Sequence, residues 1–169
     1  MRMRAASAAD AAPIAALINI FIRETTISFT TREKTPAEIA EEIAARQQAG
    51  LPWIVAEGKD AVAGYVTAAP FRKGDGYAKT LEHSLFVSPE AQNIGVGRML
   101  MDALETAAIA RGAMSLVAGI SAENESALGF HQHLGFVPVG RIERAGVKFG
   151  RQIDLVLLQK HLSSPSDRG

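Results

Sequence analysis

Gln92-Asn93-Ile94-Gly95-Val96-Gly97-Arg98 follows the apolar run Leu85-Phe86-Val87-Ser88-Pro89 and opens an amphipathic segment ending near Arg111-Gly112. Strand, glycine turn and helix start, in that order, make an anion cradle. The first turn of a helix carries unpaired N–H groups and the positive end of the helix dipole. Glycines let that backbone approach a phosphate with no side chain in the way. Two common phosphate motifs do not fit. A P-loop ends in Gly-Lys-Ser/Thr, whereas Gly97 is followed by Arg98-Met99. A dinucleotide fingerprint needs Gly-x-Gly-x-x-Gly early in a βαβ unit; Gly95 to Leu100 lacks the third glycine and comes late in the chain. On this motif alone, a helix start with a plain glycine turn remains the alternative.

Further blocks narrow the reading. They are Thr25-Thr26-Ile27-Ser28-Phe29, Gly64-Tyr65, Phe71-Arg72, Tyr77, Thr80-Leu81-Glu82-His83-Ser84, Glu123-Asn124, His131-Gln132-His133-Leu134-Gly135-Phe136 and Gly146-Val147-Lys148-Phe149-Gly150-Arg151. Together with Gln-x-x-Gly-x-Gly before a helix, they resemble the acyl-CoA-dependent N-acetyltransferases of the GNAT superfamily. Within it they resemble the phosphinothricin and methionine sulfoximine (methionine sulfone) acetyltransferase branch, from about Arg4 to Leu162. The resemblance implies acetyl-CoA as co-substrate, a small amine as acceptor, a homodimer, and a central mixed, splayed β-sheet flanked by helices.

Composition bounds the rest. The 169 residues suit one domain, spanning 1–162, and 47% hydrophobic residues suffice for a core. The formal net charge is zero and the basic residues are scattered, so nothing draws nucleic acid or an anionic membrane. There is no cysteine, which excludes disulfides and thiolate chemistry and agrees with a cytoplasmic protein. No apolar run approaches transmembrane length. The polar end, 163–169, is expected to be a disordered tail.

Periodicity places the elements. A strand around Met3-Ala5 leads into a helix from about Ala8 to Arg23, with Ser7-Ala8-Ala9-Asp10 as a capping box. Thr35-Pro36-Ala37-Glu38 starts a second helix that stops at Gly50. Trp53-Glu57 and Val62-Ala69 read as hairpin strands around Gly58-Lys59-Asp60. Lys79 to Val87 and Met114 to Ile120 read as strands, Asn124 caps a short helix closed by Gly135, and Phe136-Val139 and Ile153-Leu158 are the last strands. Strands alternating with helices around a hairpin give an α/β (α+β) fold.

Acetyl transfer to an amine needs a base, a polarised carbonyl and a stabilised thiolate. Alternation along Thr80–Val87 puts Leu81, His83, Leu85 and Val87 on one face and Thr80, Glu82, Ser84 and Phe86 on the other. A carboxylate at the centre of a sheet tends to be desolvated, which raises its pKa toward the useful range. The resemblance assigns Glu82 the general-base role, and a strand glutamate in a salt bridge is the plain alternative. His131 stands where the branch carries a histidine, in a position to move a proton at the thiolate or the amine. His83 faces away from Glu82 and reads as structural.

For the cofactor, backbone groups of Asn93, Ile94, Gly95, Val96, Gly97 and Arg98 are expected at the pyrophosphate. Main-chain groups of Leu85, Phe86 and Val87 are expected to pair with the pantetheine amides as an added strand would. The resemblance places Asn124 near the cofactor arm, with helix capping as its plain alternative, and Phe29, Arg72, Tyr77 and Lys148 near the acceptor, where an arginine clamp suits an amino-acid carboxylate; core packing is the alternative for Phe29 and a subunit interface for Lys148. His133, two residues past His131, is a candidate for the cofactor arm, with a plain surface position as its alternative. No histidine–carboxylate cluster has metal-ligand spacing, so no metal is expected. Three departures stand out. Asn93 replaces a glycine usual in the loop, Gln152 replaces a tryptophan, and Lys73-Gly74-Asp75-Gly76 differs from the branch; the last two bear on substrate identity.

Overall fold

A computed structural model describes residues 1–58 and 62–163. Seven strands form one sheet: β1 (Arg2–Ala5), β2 (Trp53–Glu57), β3 (Val62–Pro70), β4 (Thr80–Val87), β5 (Ser115–Ser121), β6 (Val137–Lys148) and β7 (Arg151–His161). Four helices flank it: α1 (Ala11–Glu24), α2 (Pro36–Gln48), α3 (Val96–Ala110) and α4 (Glu125–His133). The strand order is β1-β2-β3-β4-β5-β7-β6. Every pairing is antiparallel except β4 with β5. The mixed, helix-flanked α/β sheet expected from the sequence is the one observed. Lys59 and Asp60 of the expected hairpin turn, and residues 164–169 of the expected tail, lie outside the described residues.

Alternation on the strands builds a core on each face. Val55 and Tyr65 pack with α1 and α2, through Ile14, Ile18, Ile39 and Ile43. Their neighbours Ala56 and Val66 pack on the other face with Leu100, Met101 and Leu104 of α3. Each such side chain, fully buried, contributes about 1.5–3 kcal/mol, so α3 is held by its stripe rather than by its own propensity.

The helix starts follow the capping chemistry. Thr35 Oγ1 accepts from the Glu38 N–H at 3.2 Å, and the Glu38 carboxylate accepts from the Thr35 N–H at 2.7 Å. Asn124 Oδ1 accepts from the Ala127 N–H at 3.1 Å. At the N-terminus the Asp10 carboxylate accepts from the Ser7 N–H at 2.7 Å and from both terminal nitrogens of Arg4 at 2.8 Å. The turn Ala8–Asp10 is 3₁₀, so α1 begins three residues later than the expected Ala8.

The last two strands are longer than periodicity suggested. The expected Phe136-Val139 and Ile153-Leu158 grow into a hairpin joined at Lys148↔Arg151. Phe149 at φ 51° and Gly150 at φ 70° form its two-residue turn, and positive φ at both positions matches strand twist. Most of β6 is exposed at the sheet edge. A strand without a buried face shows no hydrophobic alternation, which is why its length was not readable.

The Arg4 partner holds the Asp10 carboxyl down at about 2. A depressed folded-state pKa contributes stability that is complete above the unfolded carboxylate value and is lost as pH falls through the folded one. Acid titration between about pH 4 and 2 should therefore erode stability more steeply in the wild type than in Asp10→Asn, as read by urea midpoints at each pH.

Candidate active site

β4 and β5 pair only from Thr80↔Ser115 to His83↔Ala118. Beyond that point β4 stays with β3 to Val87, while β5 follows β7 to Ser121. The sheet therefore opens as a V, with Ser84–Val87 on one side and Gly119–Ser121 on the other. Strand edges left this way carry unpaired main-chain N–H and C=O groups. An extended amide chain can take them up as an inserted strand.

Two contiguous cavities occupy the opening. The larger, about 420 Å³, runs from Leu85, Phe86 and Val87 to the glycine loop, with Gln92, Asn93, Gly95, Gly97 and Arg98 in its wall. The smaller, about 190 Å³, lies where the strands part, between His83, Ser84, Gly119 and His131. Ile27, Leu85, Phe86, Asn124 and Ala127 line both. A long ligand with a phosphate end and an apolar arm fits that shape.

The loop has the backbone an anion needs. Gly95 caps α3 in the left-handed region at φ 88°, and a Cβ there would meet nothing within 4 Å, so open space stands over the helix start. Asn93 has φ 62°, the conformation for which glycine is the usual residue. Asparagine is among the few side chains that tolerate it, so the substitution preserves the turn. Gly97 is needed for a different reason: a Cβ would press on the Phe130 ring at 3.2 Å. Val96 turns into the core at 2% exposure, and Ile94 points outward at 66%; neither side chain lines a cavity.

Glu82 reaches across the split. Its Oε1 lies 3.1 Å from where a Cβ of Gly119 would stand, so the bare glycine at the first unpaired position of β5 makes room for the carboxylate. The side chain is half-buried. Burial raises its pKa, and the positive charge of Arg72 pulls it partly back. Arg72 is exposed, lies over the Phe71 ring at 4.3 Å and shares a loop with exposed Tyr77.

His131 sits on the opposite face of the sheet from Glu82. Its ring is 5% exposed, and its Nδ1 lies 2.8 Å from the Ala127 carbonyl. Its Nε2 lies 2.9 Å from Nε2 of His83. Alternation along β4 thus turns His83 away from Glu82, as the sequence implied, but into direct contact with the other candidate catalytic group. Burial lowers the pKa of both rings, against the Ala127 hydrogen bond for His131. His133 is exposed, bonds the Gly129 carbonyl at 2.7 Å and lines neither cavity.

Phe29 and Lys148 are packed rather than free. The Phe29 ring lies on Gly146, whose Cβ would fall 2.2 Å from it. Lys148 is 3% exposed and donates to the carbonyls of Ser28 at 2.5 Å and Phe21 at 3.4 Å. Both side chains fasten the 25–30 segment, which brings Ile27 over the cavities. Sequence reasoning missed Ile27, Gly119, Ser126 and Phe130 as wall residues. They come from separated segments, and only the meeting of α4 with the glycine loop and of the 25–30 segment with β6 brings them in.

The chain matches the acetyltransferase (GNAT) family model over residues 14–136. It is 35% identical to the L-amino acid N-acyltransferase MnaT of Escherichia coli, covering 99% of this chain and 97% of that protein. It is 35% identical to an L-methionine sulfoximine/L-methionine sulfone acetyltransferase of Salmonella typhimurium, covering 96% and 95%. It is 32% identical to the phosphinothricin N-acetyltransferase of Streptomyces viridochromogenes, covering 98% and 90%. Among solved structures, the acetyltransferase yncA from Salmonella typhimurium with its cofactor acetyl-CoA superposes with a TM-score of 0.92 at 34% identity, covering 97% of this chain and 95% of that one. The split sheet, the glycine-capped helix and these relationships converge: the chain belongs to the GNAT acetyltransferase family.

Proposed function

We propose that this protein is a cytoplasmic acetyl-CoA-dependent N-acetyltransferase acting on the α-amine of a small glutamate-like amino acid. Phosphinothricin, methionine sulfoximine and methionine sulfone are the acceptors of choice. The observation that carries the reading is the Glu82 carboxylate, half-buried, with its Oε1 3.1 Å from where a Cβ of Gly119 would stand at the point where β4 and β5 part. The named substrates of the relatives at 32–35% identity support the acceptor class.

Bound acetyl-CoA supplies an activated acetyl thioester. The chain's own residues do the rest. The Asn93–Arg98 backbone holds the diphosphate at the start of α3. Main-chain groups of Leu85–Val87 hold the amide arm in the gap between β4 and β5, and an N–H near Val87 polarises the carbonyl oxygen. Glu82 takes the proton from the attacking amine, and its raised pKa makes it a stronger base than an ordinary surface carboxylate. Arg72, beside that carboxylate, holds the acceptor's own carboxylate. His131 assists the return of a proton to sulfur. No covalent enzyme intermediate is required.

β6 supports a homodimer. Val137, Val139, Ile142, Val147 and Phe149 are all exposed along this edge and its turn. A strand edge with that much apolar surface calls for a cover, and a second copy of the chain is the cover we favour.

Glu82→Gln should lower kcat by about 10²–10⁴-fold with acetyl-CoA affinity unchanged. In the wild type, kcat should fall as pH drops through a value above the ordinary carboxylate range, because the base must be ionised; stopped-flow thiol release gives both. Tight CoA binding with no thiol released for any amine of a broad panel would mean an acyl-CoA-binding protein instead of an enzyme. Arg72→Ala should raise KM for carboxylate-bearing amines roughly ten- to a hundredfold and leave the KM for acetyl-CoA alone. Sedimentation should give twice the chain mass, and Val139→Lys with Val147→Lys should give the monomer.

A further inference from the structure

The 25–30 segment between α1 and α2 has no helix or strand of its own, yet it walls both cavities. Ile27 lines both, and Ser28 lines the smaller. An amine that gives its proton to Glu82 must come to the point where β4 and β5 part. The acceptor therefore occupies the smaller cavity, against Ile27 and Ser28. Whatever locates this segment also shapes the acceptor site.

Most of its hydrogen bonds are local. Thr25 Oγ1 donates to the Phe21 carbonyl at 2.7 Å and accepts from the Ile27 N–H at 3.2 Å. Ser28 Oγ accepts from the Thr30 N–H at 3.3 Å. Bonds of that kind turn with the segment and do not locate it against the sheet. Among the described residues, one hydrogen bond reaches it from a distant part of the chain: Lys148 Nζ donates to the Ser28 carbonyl at 2.5 Å. The same ammonium donates to the carbonyl of Phe21, a wall residue of the larger cavity, at 3.4 Å. Two positions earlier on β6, the bare Gly146 receives the Phe29 ring, which a Cβ would meet at 2.2 Å. Alternation along β6 turns Gly146 and Lys148 inward and Val147 outward.

The choice of a lysine is informative. Lys148 is 3% exposed and bonds neutral carbonyls. Burying an ammonium is costly, and a methionine would fill similar space with no charge to desolvate. What the ammonium adds is directed donation, one group reaching both α1 and the segment that follows it.

We propose that Lys148, with Gly146 beside it, is a positioning residue for the acceptor: from the end of β6 it pins the 25–30 segment so that Ile27 and Ser28 wall the place where the amine meets Glu82. This rests on the acetyltransferase function above. Neither Gly146 nor Lys148 lines a cavity, so both act through the segment.

Chymotrypsin cleavage after Phe29, read by mass on the full-length protein without ligand, reports the pinning directly. In Lys148→Met this cut should come roughly tenfold faster than in the wild type, while the cut after Phe136, deep in the core, keeps its rate. The KM for the acceptor should rise roughly tenfold, with kcat and the Kd for CoA within about twofold of the wild type. Gly146→Ala leaves the ammonium in place and pushes on Phe29 from β6. It should give the same selective cut and the same rise in KM, and it decides the matter if Lys148→Met does not fold. Wild-type protection of Phe29 in the folded variants overturns the proposal. So does a cut after Phe29 that quickens only together with the cut after Phe136, an unchanged acceptor KM, or a Kd for CoA that rises as far as that KM. The cut needs no turnover: absence of thiol release would sink the acetyltransferase reading, and absence of the selective cut would sink the pinning.

Discussion

Two parallel neighbours that stop pairing create a problem of unmet hydrogen bonds, and the rest of this molecule is arranged around it. β4 and β5 share four residue pairs and then separate. Each is held on its far side by an antiparallel partner, β3 or β7, along its whole length. The opening is therefore braced from both sides. Its main-chain donors and acceptors must be met by solvent or by an inserted chain of amides. Gly119 stands at the first unpaired position, where a Cβ would crowd the Glu82 carboxylate at 3.1 Å. α3, α4 and the 25–30 segment then wall the opening into cavities.

The two titratable centres are separated by the sheet itself. Glu82 faces the α1–α2 side, with Arg72 near enough to moderate its pKa. His83 and His131 form a stacked pair on the other side, rings 5.2 Å apart, closed in by Phe136. Only at the split, where no strand intervenes, can one small group be within reach of both. A continuous β4–β5 ladder would keep the carboxylate and the imidazoles on opposite faces of the sheet.

The 25–30 segment shows how buried polar and apolar contacts divide the work. Its Ser28 carbonyl is tied to Lys148, and Phe29 occupies the space that Gly146 leaves free. Burial lowers the Lys148 pKa, yet two carbonyls accept from two of its three N–H groups, which offsets part of the cost of burying an ammonium. Ile27 is thereby set at the junction of the two cavities.

Much of this was legible in the chain before any coordinate. Caps at Thr35 and Asn124, the apolar stripe of α3, the glycine turn at Gly95 and the alternation that turns Glu82 and His83 to opposite faces all depend on residues within a few positions of each other. Local chemistry determines them. The length of β6 was not legible, because an exposed edge strand buries no face. Nor was the pairing of His83 with His131, 48 residues apart in sequence, or the commitment of Lys148 to a loop some 120 residues earlier. The point where β4 and β5 part belongs to the same class. Such contacts are set by how helices and strands stack, and no periodicity within a segment encodes which distant segment it will meet.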